Sequence, residues 1–157
     1  MSTRCIRKPR TADQEEAVIV GVDLGKTVFQ LCVADKAWRP IESKRLSRSQ
    51  FEHYFVNRRV SLVVMEACAT SHHWARWMAK LGIEVMLIPA QYVRAYVRRN
   101  KTDAADAAAL LEAARCPDIR PVRIKGVEQQ ALQTLHRARS TWVATRTARI
   151  NALRGFC

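Results

Sequence analysis

One stretch constrains the fold more than any other. The apolar run Ala17-Val18-Ile19-Val20 leads through Gly21 and Val22 to a single carboxylate, Asp23. A Leu-Gly-Lys-Thr turn follows over 24–27, then a second apolar run, Val28 to Ala34. β-Branched residues bounded by a glycine-containing turn read as a strand buried on both faces. Asp23 therefore stands at or near the end of a central strand, where an unpaired charge would cost several kcal/mol. A cap, a turn, a salt bridge, a metal or a phosphate would each give it a reason to be there.

The pattern continues with recognisable elements. Trp38 to Leu46 reads as a third strand, and three short strands joined by tight turns suggest an antiparallel meander. Ser47 to Asn57 reads as a helix capped by Ser47 or Ser49, with Phe51, Tyr54 and Phe55 at helical spacing. Val60 to Met65 is another apolar run ending in a carboxylate, Glu66. Thr70 to Leu81 has helix-period apolar residues and stops at Gly82, and Glu84 to Ile88 is a strand ending before Pro89. This strand–helix–strand unit implies parallel pairing. The expected class is therefore α/β, a mixed sheet flanked by helices.

Beyond it lie a short basic helix over Gln91 to Arg99 and an alanine-rich helix reaching Ala114, with Asp103 and Asp106 in or just before its first turn. After a break over Pro117 to Pro121, nothing interrupts a helix from Gly126 to Arg154, as one long element or two. Leu132, Leu135, Trp142, Val143, Ile150 and Leu153 fall on one side of it, together with Arg139, Arg146 and Arg149. A coiled-coil seam would not carry three arginines, so this is a mixed surface.

Charge narrows the partners. A chain of 157 residues with 27 Lys and Arg against 14 Asp and Glu carries a formal net charge of +13. From Arg115 to Cys157 nine basic residues face only Asp118 and Glu128. Such an excess points to a polyanion, and nucleic acid is the commonest. The length suits one domain with a real core. No run approaches the roughly 18–20 apolar residues of a membrane span, and the first 16 residues have no apolar core, so they read as a flexible basic arm and not a secretory signal. Five scattered cysteines without a CxxC pair suggest reduced thiols and a cytoplasmic protein.

Within this basic chain, Asp23 and Glu66 each close an apolar strand, and their carboxylates meet at one edge if those strands are neighbours. Asp103 and Asp106, three apart, share one helix face. Four clustered carboxylates repel one another unless a cation neutralises them, and all-oxygen ligation suits magnesium or manganese in phosphodiester chemistry. The bland alternative is helix capping and dipole compensation for the pair and a turn carboxylate for Asp23. Other readings fare worse. Gly21 to Thr27 is one residue short of a P-loop and would place Asp23 inside the anion cradle. Asp23-x-Gly25-x-Thr27 resembles the phosphate loop of actin-like kinases, whose second domain this chain is too short to hold. His72 and His73 diverge on a helix and do not chelate together. His53 and His136 stand alone, and Trp74 and Trp77 read as core.

The blocks VGVDLGKTVFQLCVAD, VVMEACATSHHWARWM and IPAQYVRAYVRRNKTDAADAAALLEAA together resemble the IS-one-ten family of bacterial insertion-sequence transposases. The resemblance implies a ribonuclease H-like (RuvC-like) domain, over 17–116, and a basic helical segment over 117–157. It implies a D-E-D-D set at Asp23, Glu66, Asp103 and Asp106, magnesium or manganese as cofactor, and DNA strand cleavage and transfer guided by a structured RNA. Lys26, Arg94, Arg98, Arg99, Lys101, Arg137, Arg139, Arg146 and Arg149 are the expected nucleic-acid contacts, and the helices after Gly126 are expected to join copies of the chain. Family members carry a second domain with a nucleophilic serine. Without it the chain is expected to bind metal and nucleic acid but not to complete transposition. A silent nucleic-acid-binding remnant is the alternative. One local departure is Ala-Cys-Ala-Thr after Glu66, where a glycine is common.

Overall fold

A computed structural model describes residues 17–56, 58–96 and 102–156, with the backbone but not the side chains of Tyr96 and Asp103. The arm expected over 1–16 lies outside the described residues. Packing divides the chain into two compact units, one ending at Arg123 and the other beginning at Ile124.

The first unit is built on β1 (Val18–Leu24), β2 (Val28–Ala34), β3 (Pro40–Ser47), β4 (Val60–Glu66) and β5 (Glu84–Ile88). They form one sheet in the order β3-β2-β1-β4-β5. β1 pairs antiparallel with β2 and parallel with β4, while β2–β3 is antiparallel and β4–β5 parallel. The meander and the parallel unit expected from the pattern are both present. β1 is the middle strand, and Val18 to Val22 are buried, as a strand covered on both faces requires.

Helices clothe the sheet: α1 (Arg48–Val56), α2 (Ser71–Lys80), α3 (Ala90–Tyr96) and α4 (Asp103–Ala114). On one face Phe29 of β2 meets Phe51 of α1 and Trp74 of α2 edge-on, at 4.6 and 5.4 Å between ring centres. Phe51 and Trp74 close the trio at 5.0 Å, and all three rings are buried. Edge-to-face packing suits the ring quadrupoles, and it settles Trp74 as core. On the other face Ile19, Cys32, Val64 and Ile88 pack with Val93 of α3 and with Ala107, Leu110 and Leu111 of α4. The alanines let α4 lie close to the sheet.

Local chemistry sets the element ends. The Ser47 N–H donates to Gln50 Oε1 at 2.9 Å, the N3-to-N-cap half of a capping box, so Ser47 begins α1. Gly82 takes φ 77°, and the Gly82 and Ile83 N–H groups donate to the Ala79 and Met78 carbonyls, which stops α2 in a Schellman turn. The third strand starts later than its pattern suggests, at Pro40 instead of Trp38. Asp35 accepts from the Ala37 and Arg39 N–H groups at 2.9 Å each. That turn puts Trp38 at φ 62° with its ring against the core, a conformation no strand can hold. Past Cys116, the Val122 N–H donates to Leu87 O at 2.7 Å, tying the connecting segment to the edge strand β5.

The second unit is a single helix, α5 (Val127–Phe156), of 30 residues and so about 45 Å long. Gln129 Oε1 accepts from the Gly126 N–H at its start. None of its side chains is buried. The side on which apolar residues and arginines mingle is exposed, with Leu135 at 68% and Trp142 at 74%.

Glu42 on β3 receives Arg58 Nη1 at 3.0 Å and Lys44 Nζ at 3.1 Å, and Arg58 also donates to the Tyr54 hydroxyl. Partial burial pushes the Glu42 carboxyl up, but the hydrogen bonds and charges of Lys44 and Arg58 outweigh it and hold it below its ordinary value. A depressed carboxyl contributes stability above its unfolded pKa and loses it as pH falls through the folded one. Glu42→Gln should therefore cost up to about 1 kcal/mol at neutral pH, the usual range for a partly exposed pair. The difference from wild type should vanish in acid below the depressed value, as urea unfolding at the two pH values would show.

Candidate metal and nucleic-acid site

The sheet register assembles the site. β1 and β4 are parallel with Val22 opposite Met65, so the next step along both strands sets Asp23 beside Glu66. Glu66 is in turn opposite Ile88 on β5, and Asp23 is opposite Gln30 on β2. Gln30 is opposite Arg45 on β3. The row Ile88–Glu66–Asp23–Gln30–Arg45 thus crosses all five strands at the end where β1, β4 and β5 finish. Strand side chains alternate between faces, and Val64 and Cys32, two residues from Glu66 and Gln30, pack with α4. The whole row therefore lies on the α4 face.

α4 reaches this row because Gly21 has no side chain. A Cβ built on Gly21 would stand 2.5 Å from the Ala107 carbonyl oxygen and 3.0 Å from Leu111 Cγ. Asp106 immediately precedes Ala107, and Asp23 lies two residues beyond Gly21 on the same face. Thr102 caps α4, its hydroxyl accepting from the Ala105 N–H at 3.2 Å. Thr102 is thus the residue whose side chain caps α4, while the Asp106 N–H donates to Thr102 O inside the helix. The Asp106 Oδ1 is buried with no hydrogen-bond partner among the described residues. A buried carboxylate oxygen left so costs free energy unless a cation or donor meets it.

The other candidates separate. Among the described residues no three His, Cys, Asp or Glu side chains stand close enough to hold a metal as they are, and the Asp103 side chain lies outside that description. Lys26 is exposed in the β1–β2 turn, and Arg94 is exposed on α3. Arg98, Arg99 and Lys101 lie outside the described residues. Arg137, Arg139, Arg146 and Arg149 are exposed along α5, in the second unit. His72 is buried and His73 exposed, so the pair diverges as its spacing requires. His53 Nδ1 bonds the Ser49 carbonyl, and His136 is exposed. Sequence spacing did not point to Gln30 or Arg45. Counting residues back from the β1–β2 and β2–β3 turns is the signal that could have found them.

This architecture is that of a known class. The chain is similar to Thermus thermophilus RuvC, solved in complex with a Holliday junction substrate, with a TM-score of 0.51 at 15% identity over 68% of this chain and all of that one. At that identity the likeness establishes the fold: α/β of the RuvC, ribonuclease H-like kind.

The sequence carries the assignment further. Residues 20–156 match the DEDD transposase family of IS110, the IS-one-ten family, and the chain belongs to it. It is 44% identical over 137 residues to a Pseudomonas aeruginosa protein named "Probable family 20 transposase". It is 42% identical over 151 residues to the transposase for insertion sequence element IS1111A of Coxiella burnetii. These alignments take in 87% and 96% of this chain but 40% and 42% of the relatives, so the chain spans about two fifths of their length. Among the described residues no helix is long and apolar enough to cross a membrane.

The approach of α4 to β1 yields a direct check. Gly21→Ala must push a methyl group against the Ala107 backbone, and overpacking of this kind costs about 1–3 kcal/mol. Chemical denaturation should show a loss in that range. Unchanged stability would mean that α4 does not hold this position.

Proposed function

We propose that this chain provides the metal-dependent DNA-cutting domain of an insertion-sequence transposase, with Asp23, Glu66, Asp103 and Asp106 as its D-E-D-D set. The observation that supports the reading is the parallel register of β1 and β4, with Val22 opposite Met65, which puts Asp23 and Glu66 at adjoining strand ends in a member of this family. The residues fit a hard divalent cation. Their donors are all carboxylate oxygens, which suit magnesium or manganese, and the buried Asp106 Oδ1, without a partner among the described residues, is the kind of atom a cation would satisfy. When bound, the ion supplies Lewis-acid polarisation of a phosphodiester and offsets the charge that builds on it.

The chain's own residues have separate tasks. Asp23 and Glu66, fixed on paired central strands, set the position of the site. Asp103 and Asp106 would add carboxylates from a second element, α4, whose packing on the sheet would govern the spacing. Lys26, Arg94, Arg98, Arg99 and Lys101 would hold flanking phosphates, whose contacts position a strand without reading its sequence. The exposed side of α5 combines large apolar residues with Arg139, Arg146 and Arg149, which suits a structured guide RNA and a second copy of the chain. The DNA substrate is taken to be the insertion-sequence ends.

Titration calorimetry with manganese or magnesium tests this. Asp23→Ala and Asp106→Ala should each weaken metal binding by at least about tenfold, the range expected when an essential metal-site residue is lost. Equal affinity in the wild type and both variants would overturn the metal site and leave the reading of a nucleic-acid-binding remnant.

A further inference from the structure

The carboxylate row does not end at Asp23. It continues through Gln30 to Arg45, and this half is open. α4 packs on the inner strands, whereas the same face of β3 carries Ile41, Ser43 and Arg45, all exposed. The opposite face of β3 is occupied by Lys44 and Glu42, bound to Tyr54 and Arg58. Gln30 is half-buried, and its Nε2 donates to Ser43 Oγ at 2.9 Å. That bond holds the amide against the sheet. Arg45 forms no ion pair among the described residues.

The spacing has a chemical consequence. Arg45 lies two strand spacings from Asp23, about 10 Å, with a neutral amide between them. At that spacing the Arg45 backbone stands beside the strand ends that carry the carboxylates and not between them. Lys26 closes the same end of the sheet from the β1–β2 turn.

We propose that Gln30 and Arg45, with Lys26, form a strip that seats the sugar–phosphate backbone of the strand entering the Asp23–Glu66 site. Arg45 takes a phosphate neighbouring the scissile one, and Gln30 is the neutral donor and acceptor that lets the strand pass from a cationic to an acidic surface. The proposal rests on the nucleic-acid function proposed above. Both residues are positioning residues, acting on the substrate's path and not on the reacting atoms.

Fluorescence anisotropy of the whole chain with a labelled DNA duplex tests it. Arg45→Ala should weaken binding about threefold to tenfold and lower the slope of log Kd against log salt by about one, the signature of one lost phosphate contact. Arg45→Lys should keep the slope. The near-isosteric Gln30→Glu should weaken binding most at low salt, with its deficit from wild type shrinking as salt is raised, because it sets a screenable negative charge under the backbone. Lys80→Ala, an exposed cation on α2 over the opposite face of the sheet, should bind as wild type does. Wild-type affinity and slope in both Arg45→Ala and Gln30→Glu would overturn the strip while leaving the proposed function intact. So would an equal loss in Lys80→Ala, which would indicate undirected surface charge. A wild-type chain that binds no duplex would overturn the strip and the nucleic-acid reading together.

Discussion

The absence of a side chain at Gly21 is the constraint on which the candidate site depends. It lets the Ala107 carbonyl settle directly over β1, at a distance any Cβ would forbid. Two residues further along that face stands Asp23, and one residue before the contact stands Asp106. A bulkier strand residue would lift the helix and carry Asp106 away from the sheet. A single close backbone approach therefore brings chemistry on α4 toward chemistry on β1, and the alanines of α4 extend that approach along the helix.

Sheet pairing does the rest. Parallel pairing of β1 with β4 sets two carboxylates at adjoining strand ends, and antiparallel pairing of β1 with β2 and of β2 with β3 adds an amide and a guanidinium to the row. Charge thus changes sign along one edge of one sheet. Behind it the two faces share the work of stability. The Phe29, Phe51 and Trp74 rings fill one side, and small and branched aliphatic residues fill the other. The side that carries the site is the one packed with alanine, where a helix can come close.

Much of this was legible because strand and helix periods are local properties. Five strands and the helices between them follow from apolar runs, from Gly82, and from the alanine run. Trp38 misled the reading for a reason no propensity contains: the Asp35 carboxylate captures two backbone N–H groups and turns the chain before β3 can begin. Whether the last segment was one helix or two was open for a related reason. Uninterrupted helical sequence sets no upper length, and α5 runs unbroken from Val127 to Phe156.

The sequence by itself determined which residues could matter. A carboxylate closing each of two apolar strands, and a D-x-x-D at a helix start, are unusual in a chain of net charge +13, and their residue types alone point to oxygen ligation. Only the tertiary structure decided which of them become neighbours. Register sets Glu66 and Gln30 on either side of Asp23. The gap at Gly21 sets the height of α4, and burial leaves Asp106 Oδ1 without a partner among the described residues. Gln30 and Arg45 belong wholly to this second category. Neither stands out in the chain, because their meaning comes from hydrogen-bonded strands whose pairing is a property of the folded sheet and not of any local stretch.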